Sequence, residues 1–141
     1  MDYTFEQVAG GGYLAEFAGT LDAAAVVEFW GEVQASRPEG GFAFAVLDIE
    51  LTTIPNLETW PGSPDTLELL HPVARMAAQS LDPDFRMALV STNGILDHVI
   101  EDLTGLVTYG AAGKARADLA VRRWTSRAEA LAWCRSAGDG S

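Results

Sequence analysis

Cysteine is almost absent: the chain of 141 residues has one, Cys134. A single thiol closes no internal disulfide, and a reducing compartment suits that usage. Long apolar runs are missing as well. None reaches the roughly 18 residues that a membrane span needs. The opening Met1-Asp-Tyr-Thr-Phe-Glu6 has neither the basic start nor the apolar stretch of a secretory signal. The expectation is a soluble cytoplasmic protein. Histidine occurs twice, as His71 and His98, and neither has a second histidine or cysteine at ligand spacing. No metal site is expected from them. Basic residues are scarce, nine against twenty acidic ones, and the net charge is −11. The surplus sits in the first half: Met1 to Ala74 holds twelve acidic residues and one basic one, Arg37, whereas Arg75 to Ser141 holds eight of each. Such a surface repels phosphate backbones and anionic lipid, so neither nucleic acid nor membrane insertion is expected. Its plainest role is solubility.

What is present is globular. Hydrophobic residues make up 48% and charged residues 21% of the chain, outside the range of disordered segments. A domain of this length buries roughly two-thirds of its unfolded surface, enough for a core without staples. No internal repeat, low-complexity segment or linker interrupts it, and residues 1–141 read as one domain.

The pattern alternates. Tyr3-Thr-Phe-Glu-Gln-Val8 and Gly12-Tyr-Leu-Ala-Glu-Phe-Ala18 carry strand residues in partial alternation, and Gly10-Gly-Gly12 between them makes a hairpin turn. From Thr20 to Ala35 the residues Val26, Phe29, Trp30 and Val33 form one helical stripe, capped by Thr20 or Asp22. Phe42-Ala-Phe-Ala-Val-Leu47 is a continuous apolar run, as in a strand covered on both faces. A helical pattern runs from Asp65 to about Ser80 with Pro72 inside it, where a kink is expected. Phe85 to Ser91 is a second buried strand, and Asp97 to Tyr109 a helix. Leu119-Ala-Val-Arg-Arg-Trp124 is a short charged strand at or near an edge. Ser126 and Glu129 have the spacing of a capping box that opens a last helix. The order ββαβαβαβα predicts an α/β fold: a five-stranded mixed, mostly parallel sheet with about four helices.

Catalytic signatures fail when tested. Gly110-Ala-Ala-Gly-Lys114 resembles a phosphate loop, but Thr108 stands where its first glycine belongs and Ala115 where Ser or Thr belongs. Gly10-Gly-Gly12 joins two strands and has no helix amino terminus to cradle an anion. Cys134 occupies a core-facing helical position and reads as an inert thiol. His98 reads as a surface residue. No catalytic residue, cofactor or metal is assigned, and no enzyme is expected.

Gly19-Thr-Leu-Asp22, leading from strand to helix, resembles an element of the anti-sigma-factor-antagonist, or STAS, family. Val46-Leu-Asp-Ile49 is similar to that family's apolar strand ending in Leu-Asp. Arg123-Trp-Thr-Ser-Arg-Ala-Glu-Ala-Leu-Ala-Trp133 looks like the tail of the divergent SpoIIAA-like branch. The order of elements agrees along the whole chain. The resemblance implies a non-catalytic protein-interaction module in bacterial regulation, with a protein partner and a homodimer open. The divergent branch is also similar to CRAL-TRIO-type domains, which implies a small apolar ligand or lipid as the alternative.

The family's phosphorylated serine lies in an Asp-Ser-Ser/Thr-Gly motif, which this sequence lacks. The comparable place holds Thr52 to Asp65, and Ser63 is its nearest serine. Ser63, Pro64 and Asp65 also form an ordinary helix start, where losing the cap costs about 0.5–2 kcal/mol. A phosphate there would add about −1.5 to −2 charges beside Glu58, Asp65 and Glu68, far in sequence from Arg37 and Arg75. Trp60, between Thr59 and Pro61, is either tucked over the core or held out as an anchor of the kind common in binding hot spots. Trp60, Ser63 and Asp48 are the candidate partner or ligand surface, and Ser63 the candidate phosphorylation site.

Overall fold

A computed structural model describes residues 2–36, 42–54, 86–101 and 120–136. Strands β1 (Asp2–Val8) and β2 (Gly12–Thr20) pair antiparallel, as the glycine turn between them predicts. Gly10 and Gly11 adopt φ of 101° and 86°, the left-handed region that glycine enters without a Cβ clash. Gly12 serves packing instead: a Cβ there would stand 2.3 Å from the Phe44 ring.

Helix α1 (Ala23–Ser36) follows β2. Of the two candidate caps, Asp22 acts: its Oδ1 accepts the Ala25 N–H at 2.9 Å. Strands β3 (Phe44–Thr53), β4 (Arg86–Val90) and β5 (Ala120–Trp124) then add in parallel. The sheet order is β1-β2-β3-β4-β5, so β1 and β5 are the edges among the described strands. Helical backbone at 96–101, here α2, follows β4, one residue ahead of the expected start at Asp97. Helix α3 (Arg127–Ser136) follows β5. The helix expected over 65–80 lies outside the described residues. The α/β class and the mixed, mostly parallel five-stranded sheet are as the sequence predicts.

Strand β3 runs longer than its apolar stretch. Beyond Asp48 it continues to Thr53, paired with β2 alone through Ala18↔Leu51, Gly19↔Thr52 and Thr20↔Thr53. The β-branched Ile49, Thr52 and Thr53 suit that extended backbone. The overhang carries Glu50 past the end of β4, which matters below.

The sheet is covered on both faces, as the unbroken apolar runs of β3 and β4 require. One face packs Tyr13, Ala15, Phe17, Ala45, Leu47, Met87 and Leu89 against Val26, Phe29 and Val33 of α1 and Leu96 of α2. Phe29 stands 4.9 Å from Phe17, 5.4 Å from Tyr3 and 6.1 Å from both Phe5 and Tyr13, ring centre to ring centre. Its full burial contributes about 2 kcal/mol. The other face packs Phe44, Val46, Ala88 and Val90 under Ala130 and Cys134 of α3. Burial pushes the Cys134 thiol up to about 12, so it stays protonated, in keeping with an inert thiol. No described helix is long and apolar enough to cross a membrane.

Candidate functional site

The four parallel strands end on one side of the molecule, and Glu16, Asp48, Val90 and Trp124 stand level there by register. Open α/β sheets bind ligands outside this carboxyl edge. Glu16 and Asp48 are direct cross-strand partners on the α3 face. Two like charges so placed repel. Arg127, the first residue of α3, resolves this. Its Nε donates to Asp48 Oδ2 at 2.5 Å, and its guanidinium also pairs with Glu16. Asp48 is buried, 8% exposed, and its other oxygen accepts the Glu50 N–H at 3.1 Å.

The overhang of β3 makes a second junction. Glu50 accepts both the N–H and the hydroxyl of Thr92, each at 2.6 Å. These two donors hold its carboxyl below the usual carboxylate range, the hydroxyl contributing most. Thr92 begins the β4–α2 loop, which the sequence folds on itself. Ser91 Oγ accepts the Asn93 N–H at 3.1 Å, and Asn93 Oδ1 accepts the Ile95 N–H at 3.1 Å, short polar side chains standing in for backbone partners.

A third junction ties that loop to β5. Arg123 donates to both oxygens of Asp97, at 2.9 and 3.2 Å, and to the Ser91 carbonyl at 3.1 Å. The forked guanidinium lowers the Asp97 pKa, and the carboxylate raises that of Arg123. Ser126 caps α3, its Oγ accepting the Glu129 N–H at 3.4 Å, which is one half of the predicted capping box.

Of the sequence candidates, Asp48 falls within this edge and faces α3. Trp60 and Ser63 lie outside the described residues. Glu16, Glu50, Thr92, Asp97, Arg123 and Arg127 were not singled out by the sequence. One signal was available: Glu16 is an acid inside the apolar strand Gly12-Tyr-Leu-Ala-Glu-Phe-Ala18, a position that requires a partner. The junctions hold the strand ends, the β4–α2 loop and α3 in fixed relation. Among the described residues no group of three or more His, Cys, Asp or Glu could hold a metal ion, and His98 is exposed.

Comparison with solved structures finds a similar fold. The anti-sigma factor antagonist SpoIIAA, solved in its unphosphorylated form, matches 95% of this chain and 98% of its own, with a TM-score of 0.57 at 13% sequence identity. The fold is SpoIIAA-like. No protein-family model matches the chain, and no curated protein matches it in sequence. The SpoIIAA-like likeness thus lives in the order and pairing of elements, and at this identity it speaks for fold alone.

Proposed function

We propose that the chain is a non-catalytic, STAS-like interaction module in bacterial regulation, binding a protein partner through the carboxyl edge of its sheet. One observation carries this reading, as an analogy from fold: the likeness to an anti-sigma factor antagonist spans nearly the whole of both chains. The use of the edge residues supports it. Asp48, Glu50 and Asp97 are each engaged by a neighbouring donor, and these pairs fix the loops that a partner would touch. Trp60 is the proposed anchor of that surface. Ser63 is the proposed phosphorylation site, and Asp48 contributes by holding Arg127, whose side chain is 43% exposed.

The test is affinity capture from the native host with the wild type, Trp60→Ala and Ser63→Asp, beside native mass spectrometry of the purified protein. The reading expects a stoichiometric protein recovered by the wild type and lost with Trp60→Ala, all three baits remaining folded by circular dichroism. A co-purified small apolar ligand with no recovered protein would replace this reading with that of a carrier.

A further inference from the structure

The arginines of the described residues are spoken for, with one exception. Arg123 and Arg127 hold carboxylates, while Arg86 and Arg135 donate to the main-chain carbonyls of Trp133 and Ala9. Arg122 instead lies over the Trp124 ring, 4.6 Å from its centre, and makes no ion pair among the described residues. The stack continues along the α3 face: Trp124 meets Trp133 at 5.8 Å, and Arg86 covers Trp133 at 4.9 Å. Trp124 Nε1 is buried without an acceptor among the described residues.

This stack borders an edge of the sheet. Among the described residues no strand lies beyond β5. The Trp124 carbonyl accepts the Ser91 N–H at 2.9 Å, so the main chain of Trp124 faces β4. Alternation along the strand then turns the N–H and C=O groups of Val121 and Arg123 outward. Unpaired edge groups template another strand. The charge selects which strand. Two β5 edges paired antiparallel with Val121 opposite Arg123 would set Arg122 against Arg122 and repel. A guanidinium over an indole face keeps its N–H donors available to a carboxylate.

We propose that the β5 edge receives an extended acidic segment of a partner protein, which pairs with Val121 and Arg123 and sets a carboxylate on Arg122. This surface adjoins the carboxyl edge at Arg123, using that residue's outward main chain rather than its side chain, and it stands without the functional reading given above.

The experiment titrates the isotope-labelled protein with a capped peptide of alternating glutamate and threonine, and in parallel with one carrying lysine for each glutamate. The proposal expects amide shifts at Val121 and Arg123 with the glutamate peptide alone, weakened by added salt. It also expects at least about tenfold weaker binding in Arg122→Glu, an exposed substitution whose folding is checked by circular dichroism. Shifts absent from β5, equal binding of the lysine peptide, or unchanged affinity in Arg122→Glu would each overturn it. Self-association of the protein alone that Arg122→Glu abolishes would assign the edge to a second copy and overturn it too.

Discussion

Arg127 donates to Asp48 across 2.5 Å, from the first residue of the last helix to the central strand of the sheet. The pair sets where α3 begins, and Glu16 on β2 shares the same guanidinium. An arginine in a first helical turn opposes the helix dipole; here the two strand carboxylates offset that cost.

Removing the guanidinium leaves Asp48 buried and Glu16 beside it with no cation between them. Arg127→Ala is expected to destabilise by about 1–2 kcal/mol, toward the lower end for a charge-assisted bond because the arginine is partly exposed. Urea unfolding measures it. In a double-mutant cycle with Asp48→Asn, the two losses should add to more than the loss in the double variant.

Two glycines should respond in opposite senses to the same change. Gly12→Ala drives a Cβ into the Phe44 ring and is expected to cost about 1–3 kcal/mol, as overpacking does. Gly31→Ala, inside α1 with open space around it, should stabilise by about 0.5–1 kcal/mol through helix propensity. Thermal melts of the two variants would test the pair.

The strands and their partners are legible in the sequence to different depths. The continuous apolar runs Phe42–Leu47 and, within Phe85–Ser91, Met87–Val90 announce strands covered on both faces, because residues that face helices on either side cannot alternate. The arginines of Leu119–Trp124 mark an edge for the complementary reason. The length of β3 is not legible: Asp48 reads as a terminus, and only the neighbouring tail of β2 draws the strand on to Thr53. The site is less legible still. Asp48 and Arg127 are 79 positions apart, and no local pattern encodes a bond that exists only once the strands are in register. Glu50 and Thr92 meet for the same reason, through the overhang.

Acid should weaken the fold through Glu50 and Asp97. Both carboxyls have folded pKa values below their ordinary ones, held there by Thr92 and Arg123. Each contributes stability that is present above the unfolded pKa, about 4, and is lost as pH falls through the lower folded value. The fall in urea midpoint between neutral pH and about pH 3 should be shallower in Asp97→Asn and Glu50→Gln than in the wild type.

The Cys134 thiol, buried under α3 and pushed up to about 12, should resist a disulfide reagent at pH about 8 in the native state and react fully in urea. Rapid reaction of the native protein would show that α3 opens readily from the sheet.

The proposed role makes the carboxyl edge of the sheet a binding surface for protein. Hydrogen exchange with the captured partner bound tests it most directly. Slowed exchange is expected at Glu50 to Ile54, Ser91 to Asn93 and the segment holding Trp60 and Ser63. Protection confined to the opposite end of the strands, with these amides exchanging as in the isolated protein, would contradict it.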